Sequence, residues 1–344
     1  MGTRKYPEFE RYLTEKAKKR TERRRNPYIR NFQKLSKASS SSNYEREKYE
    51  NVTINFPSSF SIWKETAKAL STFEKTEKFL KKEKSIILNM SNIEHISEDA
   101  ILYLISRLHH YRHIYPKQSV QGYFPQNQVC KDLLLKSHFQ KYVNSEYKCE
   151  DNQDIFPIKD GILADGTIVD QVIEFVKDNI SLEEQTAKIS YGTILECLKN
   201  TKEHAYSESN AYGKWWMIAI PDKVSRKVHF TALDNGYGIP STVKKKFREI
   251  IKTTSSKFVQ SSNIDADLIC SALEGDYQRS QTGKVYRGKG LPSVFELTQL
   301  SQIDNLRVIS NYGHVLAGKN KIVMEAQTLE HKFEGTLISW DFTA

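Results

Sequence analysis

Residues 227–233, KVHFTAL, alternate in polarity, with Val228, Phe230 and Ala232 on one face, and lead straight into Asp234-Asn235-Gly236-Tyr237-Gly238-Ile239-Pro240. Alternation at period two predicts a strand with one buried face. A carboxylate at the strand end, followed by two glycines one residue apart, restricts what the chain does next. Glycine accepts positive φ and lets the backbone approach a neighbour or a ligand closely. An ionised carboxylate accepts hydrogen bonds from amino groups. Asn-Gly is also a common hairpin turn, so by itself the stretch reads first as a turn. The surrounding residues change that reading.

Upstream, 214–220 (KWWMIAI) predicts an antiparallel partner strand, with 221–226 as the turn. Before it, 182–206 has helical spacing, with Tyr191, Leu195 and Leu198 toward a core. Glu196, Asn200 and His204 recur every four residues, a drift of about 40° per step, so they share one face. They fit a solvated helix face, although Asn is a weak helix former. They also fit a chemical set, with Asn200 as an oxygen ligand to Mg2+ and Glu196 orienting or deprotonating a nucleophile. Downstream, 241–251 predicts a helix and a Ser-rich stretch follows, with a short helix at 265–273. Residues 253–286 are expected to form a mobile lid. The stretch ends in Tyr286-Arg287-Gly288-Lys289-Gly290-Leu291-Pro292, which runs into a helix at 293–300. Glycines before a helix start present free N–H groups and the positive end of the helix dipole, which suit phosphate. Residues 306–310 and 335–342 predict closing strands.

The first half alternates in type. Strands are predicted at 51–57, 85–90 and 119–124, and helices at 61–82, 98–114 and 129–143, the second with Ile101, Leu104, Ile105 and Leu108 at helical spacing. That order predicts an α/β layer structure. A polar link is expected over 146–160, then a helix at 167–179 through Val169, Val172, Ile173 and Val176. Residues 36–43 (SKASSSSN) read as a linker. The expected division is a basic arm and linker at 1–43, an α/β domain at 51–145 and a second domain at 165–344.

Charge locates the arm. Residues 1–37 carry thirteen Lys and Arg against four Glu, nine of the net +10, so the rest is nearly neutral. The arm suits nucleic acid or an anionic surface, or else stays a solvated tail. No apolar run approaches the roughly 18 residues of a membrane span. The N-terminal residues lack an apolar signal core, so a cytoplasmic protein is expected. Cys130, Cys149, Cys197 and Cys270 form no CxxC pair, which argues for reduced thiols over a zinc site.

Residues 85–112, SIILNMSNIEHISEDAILYLISRLHHYR, resemble the centre of a STAS domain, with the likeness covering 51–145. In regulatory STAS proteins a serine or threonine at that helix start can be phosphorylated. Here Glu98 and Asp99 stand there, as capping and dipole partners or as a built-in phosphate mimic. Residues 165–344 resemble the GHKL ATPases, the Bergerat-fold group of histidine kinases, gyrase, chaperone and mismatch-repair ATPases and anti-sigma-factor kinases. ECLKNTKEH (196–204) is similar to the N box, DNGYGI (234–239) to the first glycine box, GKGL (288–291) to the second, and Gly335-Thr336 to the last.

This resemblance implies a two-layer α/β sandwich, whose mixed sheet carries helices on one face, with ATP between those helices and the lid. It implies that Asp234 receives the adenine amino group and that Gly238 lets the backbone approach the base. Asn200 would hold Mg2+, Glu196 would be the base, and Thr336 would support Asp234. Gly288, Lys289 and Gly290 would approach the phosphates, while His204, Gly236, Ile239 and Leu291 complete the ATP-binding boxes. Three functions stay open, with an ATPase switch acting on a protein partner favoured. The others are an anti-sigma-type serine/threonine kinase and a non-catalytic ATP-binding scaffold. A histidine autokinase is disfavoured, because His109, His110 and His113 lie in the first half without an HExxxP sequence. Many members of the group it resembles work as dimers, so a dimer is a possible state, although no heptad seam shows one here.

Overall fold

A computed structural model of the chain describes residues 51–149, 154–204, 213–247, 264–275 and 290–344, with backbone alone at 200–204, 244–247 and 290. The basic arm, its linker and most of 253–286 lie outside the described residues. The fold is mixed α/β, with both parallel and antiparallel sheets.

Strands β1 (Asn51–Asn55), β3 (Ser85–Asn89) and β5 (Val120–Tyr123) form a parallel sheet in the order β1-β3-β5. Parallel neighbours need long crossovers. Helices α1 (Thr66–Leu80) and α2 (Glu98–Ile114) supply them, each preceded by a short strand, β2 (Ser59–Phe60) or β4 (His95–Ile96), and these two strands pair. Helix α3 (Gln128–Lys136) begins where the Asn127 side chain accepts from the Cys130 N–H at 3.2 Å. The helix expected over 129–143 breaks at His138, which takes a left-handed φ of 62°, and resumes as a 3-10 turn at Phe139–Tyr142.

The second sheet contains β6 (Phe156–Gly161), β7 (Trp215–Asp222), β8 (Lys227–Asp234), β9 (Ile303–Ala317) and β10 (Val323–Thr343), in the order β6-β7-β8-β10-β9. Strand β6 occupies part of the expected polar link. The mixed sheet expected here is corrected, because all four pairings are antiparallel. The reason is topological. The helical crossover from β8 to β9 makes those two strands run the same way, but β10 inserts between them. Helices α4 (Gly166–Asn179), α5 (Glu184–His204), α6 (Ile239–Phe247), α7 (Ile264–Glu274) and α8 (Gly290–Glu296) accompany the sheet. Alternation sorts its side chains, with Trp215, Met217, Phe230 and Trp340 in the core these helices share.

The opposite face is not open, which corrects the expectation of helices on one side only. Trp216, Ile218, Leu233, Ile309, Phe333 and Leu337 share a core with α1, α2 and the first sheet. Helix α2 therefore lies between two sheets, and from Asp99 to Leu108 every side chain is buried. A helix apolar on most of its circumference needs such a position. Tyr103 stacks on Phe333 at 4.3 Å between centroids, and its hydroxyl accepts from the Glu334 N–H at 3.3 Å. Residues Glu50–Ala344 form one compact unit.

The start of α2 faces protein. Asp99 accepts from the Trp63 N–H at 2.8 Å and from the Ser61 hydroxyl at 3.4 Å. Burial pushes the Glu98 carboxyl up to about 7, reinforced by the Asp99 charge, and His229 and Asp341 of the second sheet also act on it. Glu98 thus feels the second sheet, while Asp99 is bound within the first half.

Phe333→Ala removes a fully buried ring from this shared core and is expected to cost about 3–5 kcal/mol of stability. Urea unfolding measures it, and a midpoint equal to that of the wild type would show that the two halves do not depend on this contact.

Candidate functional site

Asp234 ends β8 between Trp215 on β7 and Thr336 on β10, with which it is directly in register. The approach of β10 is close. A Cβ on Gly335, whose φ is 109°, would lie 2.0 Å from the Asp234 carbonyl oxygen. The Gly236 N–H donates to Asp234 Oδ1 at 2.7 Å. Although part of its side chain reaches the surface, surrounding protein strips water from the carboxyl. That burial pushes it up to about 7, against the opposing effect of the Gly236 N–H. A carboxyl poised near neutrality at a strand end can exchange its proton for a donor such as an amino group.

Gly238 has a φ of 85°, and a Cβ there would sit 2.1 Å from Asn311 Oδ1 and 2.7 Å from Ser310 Oγ. Packing against β9 thus requires glycine at this position whatever a ligand demands. Ser310 Oγ accepts from the Ile239 N–H at 2.9 Å and donates to the Gly335 carbonyl at 2.9 Å. Its single hydrogen is then committed, so the Thr336 hydroxyl, 3.1 Å away, is the donor in their contact. Thr336 stands beside Asp234 across the β8–β10 pairing, with its hydroxyl turned to Ser310. Ile239 is buried in the core at the start of α6.

Asn235 is held from β7. Its N–H donates to the Lys214 carbonyl at 3.2 Å, and its Oδ1 accepts from the Lys214 N–H at 2.7 Å. Lys214 Nζ in turn donates to Asp160 Oδ2 at 2.5 Å.

Helix α5 brings its last turns toward this loop. The Asp234 and Glu196 carboxylates both act on Cys197, whose thiol is pushed up to about 12, chiefly by burial. Glu196 pairs with Lys199 at 2.8 Å on a half-exposed face. Asn200 and His204 have their backbone on α5; their side chains lie outside the described residues, as do Gly288 and Lys289. Gly290 opens α8, which packs on α5 and α7, and Leu291 lies against the helix-side core. Among the described residues no three His, Cys, Asp or Glu side chains gather as metal ligands. An ion held by one carboxamide oxygen, phosphates and water does not require such a group.

Ser310, Asn311, Lys214 and Cys197 were not singled out from the sequence. Ser310 was within reach, because Leu306, Val308 and Ser310 alternate on one face and a hydroxyl in an apolar row needs a partner. The Lys214–Asn235 contact has no sequence signal, since it depends on where β7 starts relative to the end of β8. No protein-family model matches this chain, and no curated protein matches it either.

Proposed function

We propose that residues 165–344 bind Mg-ATP as a GHKL-type module, and that the chain is an ATPase switch whose nucleotide state controls a protein partner. The observation that carries this reading is the Asp234 carboxyl at the end of β8. It is desolvated, set in register with Thr336, and followed by the Gly236–Gly238 turn into α6. Helix α5, with Glu196 and Asn200, borders the same loop. In this reading Asp234 accepts from the adenine amino group, Asn200 would hold Mg2+, and Glu196 acts on the attacking hydroxyl or water. The ion would supply charge neutralisation at the phosphates. The parallel β1-β3-β5 sheet with its crossover helices supports a STAS-like first half.

Among the described residues no helix is long and apolar enough to cross a membrane. A cytoplasmic setting with reduced thiols belongs to this reading. In a kinase of the anti-sigma type the acceptor would lie on another protein. Ser97 precedes α2, whose core residues pack on the face of the second sheet opposite that of α5 and α6.

Incubation with ATP labelled in its γ-phosphate tests the reading. Label released as free phosphate in the presence of Mg2+ is the expected result. Label transferred to an added protein supports the kinase. Binding without turnover, with or without partners, leaves the scaffold.

A further inference from the structure

The loop that carries Asp234 is tied to the first half of the chain by one polar line. Tyr142 closes the 3-10 turn after α3, and its hydroxyl donates to Asp160 Oδ1 at 2.8 Å. Tyr142 is itself anchored, because Arg112 of α2 donates to its carbonyl at 2.5 Å. The other oxygen of Asp160, which lies on the edge strand β6, takes the Lys214 ammonium at 2.5 Å. Lys214 then holds Asn235 by the two bonds described above. Burial and the Asp160 charge both push the Tyr142 phenol far up, so it stays a donor throughout the neutral range.

Each link restricts the next. Asp160 uses one oxygen for each partner, so its carboxylate is fixed in rotation as well as position. The ammonium of a lysine is a compact charge on a flexible stem, and it settles where a carboxylate holds it. A partly buried pair of this kind is screened less than an exposed one. With Lys214 held, both its N–H and its C=O are aimed at Asn235, the residue next to Asp234. Tyr142, Asp160, Lys214 and Asn235 are themselves none of the phosphate-binding positions of the proposed site.

We infer that Tyr142 and Asp160 are positioning residues for the base-recognition loop, setting Asp234 through Lys214 and Asn235, so that the first half of the chain governs selection of adenine. This rests on the ATP reading above. Its consequence is narrow. Loosening the line should blur recognition of the 6-amino group and leave phosphate binding alone. A change that merely weakened the fold would lower affinity for every nucleotide alike.

The test compares ATP with ITP, which lacks the 6-amino group, by calorimetry on the full chain with Mg2+. Tyr142→Phe removes one hydrogen bond and should lower the ATP-to-ITP affinity ratio by about two- to tenfold. Asp160→Asn, which removes the carboxylate charge facing the Lys214 ammonium, should lower it at least as much. Lys214→Arg keeps the charge and should retain most of the ratio, whereas Lys214→Met should not. Thermal melts of each variant separate folding from selection, and the partly exposed Lys214 keeps the test open if Tyr142→Phe or Asp160→Asn fails to fold. An unchanged ratio in folded variants, with the wild type binding ATP, overturns the inference alone. A wild type that binds neither nucleotide overturns the ATP reading, and the inference with it.

Discussion

Asp234→Asn is expected to cost ATP binding on the order of 1–3 kcal/mol, about five- to 150-fold in affinity. Asparagine keeps the size of the side chain but can present an amide donor to the adenine amino group, leaving buried polar atoms unpaired. The raised carboxyl adds a pH signature. Burial holds Asp234 near 7 in the free protein. ATP selects the ionised form, so wild-type affinity should rise with pH and level off above about 7. Below that it should fall by up to about tenfold per unit. Folding stability runs the other way. The unfolded chain gives up this proton in the ordinary carboxylate range, well before the folded one does. Asp234 therefore removes stability as pH rises toward about 7, and its cost is complete above that. Calorimetry at pH 6 and pH 8 on wild type and Asp234→Asn checks the binding part, with the variant correcting for titration of ATP itself. Equal affinities for the two proteins at both values would remove Asp234 from the site.

Glu196→Ala should separate chemistry from binding. A positioned general base contributes about 10²–10⁴-fold to rate, and the residue does not touch the adenine in the proposed arrangement. Turnover should therefore fall by roughly that factor, with ATP affinity within a few-fold of wild type. Lys199, which pairs with Glu196 at 2.8 Å in this structure, must release it for the carboxylate to act. Asn200→Ala should differ by losing Mg2+-dependent affinity along with rate. Single-turnover assays beside binding isotherms distinguish the two. If Glu196→Ala turns over at the wild-type rate, the glutamate is only half of a surface ion pair.

Elements with a clean local period were legible from the residues. The spacing of Ile101, Leu104, Ile105 and Leu108 placed a helix over 98–114, and α2 has those bounds. The hairpin of β7 and β8 was legible for the same reason, as was Asp234 at its end. What could not be read depends on partners distant in sequence. Nothing local in 303–343 says that β10 inserts between β8 and β9, so pairing direction was out of reach. Likewise Gly238 looked like a ligand-approach glycine, while Ser310 and Asn311, more than seventy positions later, fill the space beside it. Leu102 and Tyr103, off the predicted apolar stripe, did carry a signal that α2 would be covered all round. Its origin in a second sheet was not legible.

The enclosure of α2 also sets a schedule for synthesis. Tyr103 waits for a strand whose contact residue, Glu334, lies 231 positions downstream. At about 5–20 residues per second that interval lasts on the order of 10–50 s. During this time α1, α2 and the first sheet can pair among themselves, and β7 and β8, made midway through the interval, supply part of the cover over α2. Until Phe333 arrives, the Tyr103 ring lacks the partner on which it stacks. Strand β10, made after β1 to β9, brings that partner.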